Sequence, residues 1–389
     1  MRAGQFTDSY LPIINGVSTF VHVFSGALET LGHEPYVFTF GRERPADSAA
    51  RIIRSPGLPL GGSGYHVAPT YSRRAWSIAR SMDVLHAHHP FVAGSLAARL
   101  RRRWNRPLVF TNHTRYDYYA RVYLPFLPKR QAIGLLGAWM RRFARQCDLI
   151  IAVSPSTHTM LKSLGVEAPI EIVYNGVDVE RFARAAPAPR PDLGLPPDAF
   201  VLMYVGRLGE EKNVEALLEA YAIARRSAPR AILALVGDGP HTPRLRECAS
   251  QLGLADGVRF LGMHSYDEIP STLGAADAFV TASITEGHPM TIIEALAAGR
   301  PVLAFDVTGI RETVIDAENG LLAQVDVRAL AQNMTRVATD AELHARLSEG
   351  ARRTAARCDI QVTAQRIVEY YECLIREARN GRSPDANDP

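Results

Sequence analysis

Short apolar runs alternate with amphipathic stretches along almost the whole chain. Tyr36-Val37-Phe38-Thr39-Phe40, Val84-Leu85-His86-Ala87, Leu108-Val109-Phe110-Thr111 and Leu149-Ile150-Ile151-Ala152-Val153 are apolar throughout rather than alternating. That is the mark of strands covered on both faces. Between them, residues 21–31, closed by Gly32, and residues 91–103 carry apolar side chains at helical spacing. Strand-then-helix repetition predicts a parallel, doubly wound α/β sheet. The pattern stops at 185–197, where five prolines fall within residues 187–197 and resist any regular element. It then restarts, with strands over 200–205, 231–236, 258–261, 278–281 and 301–305. Helices are expected from Asn213, Pro243 and Ser265 and after Pro289. The expectation is an α/β chain of two Rossmann-like domains, 1–182 and 199–360, joined by a proline-rich linker at 183–198. Residues 361–389 add a helix around 367–378, which packs on either domain, and a frayed polar tail. Doubly wound sheets bind ligands beyond the carboxyl ends of their strands. Two sheets facing across a cleft would offer one such edge to each of two substrates.

Composition narrows the class. With 389 residues, 47% of them hydrophobic and 22% charged, the chain fills two ordinary cores and is not disordered. No run approaches the ~18 apolar residues of a spanning helix, and residues 1–8 lack the apolar core of a signal peptide. A cytoplasmic protein is expected. Cys147, Cys248, Cys358 and Cys373 are scattered without a CxxC, which favours free thiols over a zinc site or disulfides. The net charge of +4 conceals a split: residues 1–180 hold 21 Lys+Arg against 12 Asp+Glu, and the remainder 23 against 28. A basic first half is suited to an anionic partner, a membrane surface among them.

Four stretches carry candidate chemistry. In Thr285-Glu286-Gly287-His288-Pro289-Met290-Thr291, a loop after a strand leads into a helix that bears Glu294. A carboxylate at a strand's carboxyl end can accept hydrogen bonds from sugar hydroxyls, and one on the helix can take two vicinal ribose hydroxyls. Free N–H groups at the helix start can hold a phosphate. The bland alternative is two surface glutamates, but Ile292, Ile293 and Leu296 mark the helix as buried. Arg207 and Lys212 sit in Gly206-Arg207-Leu208-Gly209-Glu210-Glu211-Lys212-Asn213, directly after a strand. Two cations there would neutralise a departing diphosphate; alternatively Glu210 and Glu211 simply pair with Lys212. Gly16, in Ile14-Asn15-Gly16-Val17, would let the backbone approach a phosphate, or only make a turn. His113 follows the 108–111 strand at its ligand-binding edge and is either a site residue or structural. Gly237-Asp238-Gly239 ends another strand and borders the pocket or is only a turn.

Glu286 and Glu294 in an E-x7-E pattern, the glycine loop and the following Gly299-Arg300-Pro301-Val302 resemble retaining glycosyltransferases of family 4, the glycogen-synthase-like type with the GT-B fold. The resemblance covers nearly the whole chain. It implies that Glu286 contacts the donor sugar, Glu294 the ribose, Arg207 and Lys212 the diphosphate, and His113 the sugar at the reaction centre. It also implies a glycine-bearing loop at Gly16, with Gly287, His288, Met290 and Thr291 around the donor. Some members place a backbone N–H where Pro289 stands, so His288 or Met290 must supply that contact here. The choice of nucleobase would rest on backbone near 259–262.

The acceptor side is written less clearly. His113-Thr114-Arg115-Tyr116, the tyrosines that follow and Leu124-Pro125 resemble members that glucosylate diacylglycerol, with Asp8, Arg115 and Tyr116 as acceptor-side candidates. Leu135, Leu136, Trp139 and Phe143 recur at helical spacing among arginines, following a run that includes Tyr119, Arg121, Tyr123 and Phe126. Such a face lies on anionic lipid or is a core stripe edged by solvated arginines. His86-Ala87-His88-His89 lacks clustered carboxylates or cysteines and is a poor metal site, although His88 is a candidate to support the site from behind. No Asp-x-Asp occurs, and no GxGxxG follows a strand, so neither a metal-dependent single-domain transferase nor a dehydrogenase is favoured. The expected function is transfer of a hexose, glucose from a UDP-sugar first, to diacylglycerol or another hydroxyl acceptor, with no metal or other cofactor. Mannosyl transfer to a phosphatidylinositol, polyprenyl-linked or soluble glycan acceptor is the alternative. A nucleotide-sugar epimerase and a non-catalytic lipid- or sugar-binding module are the rivals, and no module for nucleic acid accompanies the arginines.

Overall fold

A computed structural model describes residues 1–59, 66–118 and 127–380. The chain forms two compact units, one of Met1–Asn175 with the segment from Ile360 onward, the other of Gly176–Asp359.

The first unit holds seven parallel strands: β1 (Arg2–Phe6), β2 (Glu34–Phe40), β3 (Ile52–Ser55), β4 (Val84–Ala87), β5 (Leu108–Asn112), β6 (Leu149–Ala152) and β7 (Ile170–Ile172). Their spatial order is β3-β2-β1-β4-β5-β6-β7. Its helices are α1 (Gly16–Thr30), α2 (Arg73–Ala79), α3 (Val92–Trp104), α4 (Lys129–Ala144) and α5 (Pro155–Ser163). The second unit opens with α6 (Val179–Arg184). Its strands are β8 (Phe200–Val205), β9 (Ala231–Val236), β10 (Val258–Gly262), β11 (Ala278–Thr281), β12 (Val302–Phe305) and β13 (Gly320–Ala323), ordered β10-β9-β8-β11-β12-β13. Its further helices are α7 (Val214–Ala224), α8 (Thr242–Gln251), α9 (Ile269–Gly274), α10 (Met290–Ala297), α11 (Val327–Thr339) and α12 (Ala341–Ala355). The last helix, α13 (Ile360–Asn380), belongs to the first unit.

Each sheet reverses its strand order once, beside its first strand. Loops leaving that point diverge to opposite faces and open a crevice at the carboxyl ends, where doubly wound sheets place ligands. The central strands are wholly buried, which is why they read as unbroken apolar runs. Phe38, Phe110, Leu85 and Ile150 anchor the first core; Leu202, Leu233, Val280 and Leu303 anchor the second. Each such side chain stabilises its unit by roughly 1.5–3 kcal/mol.

The change of unit falls at Asn175/Gly176, ahead of the proline-rich segment. That segment is not a loose linker but part of the second unit. Arg190 clamps it there, donating to the carbonyls of Ala275 and Ala199 at 3.1 and 2.8 Å and pairing with Asp277 at 2.9 Å. Prolines lack N–H donors, so one arginine reaching into neighbouring carbonyls fastens a strip that cannot join a sheet. The C-terminal helix is fixed equally specifically: Tyr371 is fully buried and its hydroxyl meets His86.

Candidate functional site

In the second unit the reversal lies between β8 and β11. The loop after β8 rests on the loop after β9: Leu208 N donates to Asp238 O, and His241 N to Leu208 O, both at 3.0 Å. A Cβ on Gly237 would lie 2.0 Å from the Gly206 carbonyl oxygen, and one on Gly239 2.4 Å from that of Leu208. Gly237-Asp238-Gly239 is therefore a backbone seam that props the Arg207 loop. At the loop's far end Asn213 adopts the left-handed conformation (φ +52°), and its side chain donates to Ala282 O at 3.1 Å. This stitches the β8 loop to the end of β11. Lys212 is thereby brought to the neighbouring strand, its Nζ 2.7 Å from Glu286 Oε1. Arg207 projects outward, 63% exposed, with Nη2 2.5 Å from Glu211 Oε1.

The Glu286 loop is held from the other side by Gly309 (φ +85°), where a Cβ would lie 2.2 Å from the Glu286 carbonyl oxygen. Thr285 Oγ1 is buried there without a hydrogen-bond partner. Gly287 is half-buried, and α10 then begins with Met290 and Thr291. Pro289 makes no side-chain capping hydrogen bond, so the helix start is not closed by the residue before it. His288 is buried, and that burial pushes its imidazole down to about 3, so it is neutral. Glu294, on the same helix, is 3% exposed. Burial pushes its carboxyl up to about 7, against the opposing charge of Arg181. Arg181, on α6, lies 4.7 Å over the Tyr266 ring and donates to Tyr266 O at 3.3 Å and Asp267 Oδ1 at 2.6 Å. Burial, then the nearby charge of Glu294, raises the Tyr266 hydroxyl above its ordinary value. The sequence marked Arg207, Lys212, Glu286 and Glu294 but not Asn213, Arg181 or Tyr266. Asn213 had a readable signal, an asparagine just before a helix, where left-handed backbone is tolerated. Arg181 and Tyr266 had none, since both act through contacts distant in sequence.

The first unit's reversal lies between β1 and β4. Here imidazoles replace ion pairs. His88 Nε2 donates to Gln5 Oε1 at 2.8 Å, which leaves His88 Nδ1 to accept from His113 Nε2 at 3.1 Å. Asn175 also hydrogen-bonds the His113 side chain. His86 meets Thr111 Oγ1 at 2.7 Å and the Tyr371 hydroxyl. Burial pushes His86 down to about 3 and holds His88 and His113 well below the usual histidine value. Among the described residues no three His, Cys, Asp or Glu side chains are grouped to hold a metal ion.

The acceptor-side candidates each have partners in the fold. Asp8 Oδ1 accepts from Ala93 N at 2.7 Å, so the carboxylate holds the start of α3. Arg115 is buried and paired with Asp117 through two contacts, 3.0 and 2.7 Å. Tyr116 is a core residue packed edge-on against Phe91. All three are held by neighbours within their own unit rather than laid open. At the start of α1, Asn15 Oδ1 already accepts from Val17 N and Ser18 N, at 3.0 and 2.9 Å. Gly16 remains exposed there, beside a helix start that caps itself. In α4 the apolar stripe divides: Leu136 and Phe143 are core, while Leu135 and Trp139 are exposed beside Arg142 and Arg145. Tyr119, Arg121, Tyr123, Leu124, Pro125, Phe126 and the tail 381–389 lie outside the described residues. Among those described, no helix is long and apolar enough to cross a membrane.

The fold matches that of the Anabaena HepE protein solved with UDP and glucose, with a TM-score of 0.78 and 23% identity, over 96% of this chain and 100% of that one. The two parallel-sheet α/β units are those of the GT-B fold. Residues 14–181 match the model described as Glycosyltransferase Family 4, and residues 187–354 that described as Glycosyl transferases group 1. The chain is 30% identical to the D-inositol 3-phosphate glycosyltransferase of Salinispora arenicola, over 92% of this chain and 86% of that one. It is 28% identical to the alpha-monoglucosyldiacylglycerol synthase of Streptococcus pneumoniae, over 83% of this chain and 75% of that one. The chain belongs to glycosyltransferase family 4.

Proposed function

We propose that this glycosyltransferase takes a hexose, glucose in the first instance, from a UDP-sugar and passes it to the hydroxyl of diacylglycerol at an anionic membrane surface on the cytoplasmic side, with retention. The observation that carries the donor side is the meeting of Lys212 with Glu286 at 2.7 Å, at a strand-order reversal that also bears Arg207. On this reading Arg207 and Lys212 hold the diphosphate and stabilise the charge that grows as the glycosidic bond breaks. They supply locally the positive charge that a metal ion brings elsewhere, and no cofactor is assigned. Glu286 receives sugar hydroxyls. Glu294 accepts from the ribose, with Gly287, His288, Met290 and Thr291 around the donor. The first unit supplies the acceptor side, with His113 as its reaction-centre residue. The acceptor oxygen attacks from the face the diphosphate leaves, and the departing phosphate takes its proton. A trapped covalent glycosyl-enzyme would overturn that step.

Support for a lipid acceptor is twofold. The S. pneumoniae relative is named for diacylglycerol, and α4 exposes Leu135 and Trp139 beside Arg142 and Arg145, an amphipathic face of the kind that rests on anionic lipid. A second reading, transfer to an inositol phosphate, is favoured by the S. arenicola relative. The test is turnover with a panel of UDP- and GDP-sugars, with and without diacylglycerol vesicles containing anionic lipid. Vesicle-dependent nucleotide release with a matching glycolipid is expected. Release that needs inositol phosphate instead selects the second reading. Conversion of the donor alone would point to an epimerase and sink both.

A further inference from the structure

We infer that Glu211 is a resident competitor for the donor's diphosphate: its carboxylate occupies Arg207 and favours expulsion of the nucleoside diphosphate product. The inference rests on the assignment of Arg207 to the diphosphate. Of the two adjacent acids in the loop, Glu210 faces solvent, whereas Glu211 folds back and is only 19% exposed. It folds over Gly209, where a Cβ would lie 2.4 and 2.8 Å from the two carboxylate oxygens. Gly209 itself has φ −117°, a backbone any residue adopts. The glycine is therefore needed for the space it leaves to this carboxylate, not for its conformation. Glu211 Oε1 lies 2.5 Å from Arg207 Nη2, yet the same buried oxygen receives no hydrogen bond of good geometry. Among the described residues the ion pair with Arg207 is the one polar contact the structure gives it. Lys212 is meanwhile engaged with Glu286. Both cations of the loop thus already face an anion, and a diphosphate gains Arg207 only as Glu211 gives it up. Once the sugar has left, the nucleoside diphosphate carries an additional negative charge. Repulsion from Glu211 then bears more on the product than on the intact donor.

The test is calorimetric titration of the full chain with UDP, UDP-glucose and GDP. Glu211→Gln should bind UDP about fivefold more tightly, the effect of releasing one partly exposed ion pair. The gain for UDP-glucose should be smaller, and product inhibition should deepen. Gly209→Ala, whose Cβ displaces the carboxylate, should shift UDP affinity in the same direction. If Glu211 instead orients Arg207 for the phosphates, both variants will bind UDP more weakly, and the inference is overturned. Arg207→Gln separates the two layers: it should weaken UDP binding and abolish the effect of Glu211→Gln. Unchanged UDP and GDP affinity in Arg207→Gln would remove the diphosphate assignment itself. A weakened Arg207→Gln alongside an inert Glu211→Gln would leave that assignment standing and remove only the role of Glu211.

Discussion

At its reversal of strand order the first unit sets imidazoles against one another, while the second sets cations against carboxylates. The two places are built alike, from loops leaving the first strand and the strand beside it across the reversal. They differ in burial. His86 and His88 are shut away among neutral partners, and without counter-charges they surrender their own charge. Lys212 and Glu286 stay 23% and 14% exposed and meet each other at 2.7 Å. A neutral hydrogen-bonded edge is suited to shaping a site; a half-open charged edge is suited to the diphosphate of the proposed donor. Glu294 and His288 depart from this in the second unit: both are buried, which pushes the carboxyl up to about 7 and the imidazole down to about 3.

Acid should separate the two units most strongly. His86 titrates near 3 in the folded chain against 6.5 when exposed. Below pH 6.5 the unfolded chain therefore takes up a proton that the folded unit refuses, and stability falls as pH falls. His86 alone costs the first unit about 5 kcal/mol by pH 3, and His88, His89 and His113 act in the same direction. Trp76, Trp104 and Trp139 all lie in this unit, so tryptophan emission reports it alone. Its thermal transition should drop steeply below pH 6. A flat transition between pH 7 and 4 would mean that these imidazoles are not buried and neutral.

Glu294 has the opposite sign. Its folded value near 7 lies above the ordinary 4.5, so folding takes up a proton between those limits. Stability from this group is present below pH 4.5, is lost as pH rises to 7, and is constant beyond. The swing is about 3 kcal/mol. Glu294→Gln should gain on the parent protein in melting temperature between pH 5 and 8 while losing donor affinity. An equal difference at both pH values would contradict the assignment. His288, lowered to about 3, works in the acid-labile direction and sharpens the contrast when replaced by Gln.

Replacing Arg207 or Lys212 by Ala should lower transfer by ~10²-fold or more, as loss of a leaving-group stabiliser does; near-parental turnover in either variant would refute the role. The smallest effect belongs to Asn213. Asn213→Gly keeps the left-handed backbone but removes the bond to Ala282 O, which should cost about 1 kcal/mol. Turnover should fall further than stability, because the lost stitch is what brings Lys212 to Glu286. Equal losses would make Asn213 merely structural.

Much of this was legible in the chain. The unbroken apolar runs predicted both sheets, because a strand covered on both faces has no polar side to show. The principal donor candidates could be read because strand ends, glycines and charges fall together in short stretches. Less visible were β3, β7 and β13, which lie at the edges of their sheets; Arg54, Ser55 and Glu171 interrupt the apolar run in β3 and β7. The helical spacing read over 21–31 begins after the true start of α1 at Gly16, which Asn15 and Ser18 cap through a reciprocal side-chain exchange. Tyr116, an acceptor-side candidate in the sequence, turns out to be a core residue. An aromatic next to a charged motif looks the same in sequence whether its ring turns inward or outward.

Local order, then, was determined by the sequence: where strands run, where glycine permits a tight approach, and which loops carry charge. Those are one-dimensional properties, set by burial periodicity and backbone freedom within a few residues. Partnership was decided only by the tertiary structure. It gave the proline-rich strip to the second unit through Arg190, and returned the last helix to the first through Tyr371. It also set Lys212 against Glu286, 74 residues away, and left Glu294 to titrate near 7. Pairing and desolvation depend on which groups share a small volume, and that volume is defined only once both sheets have closed their strand order.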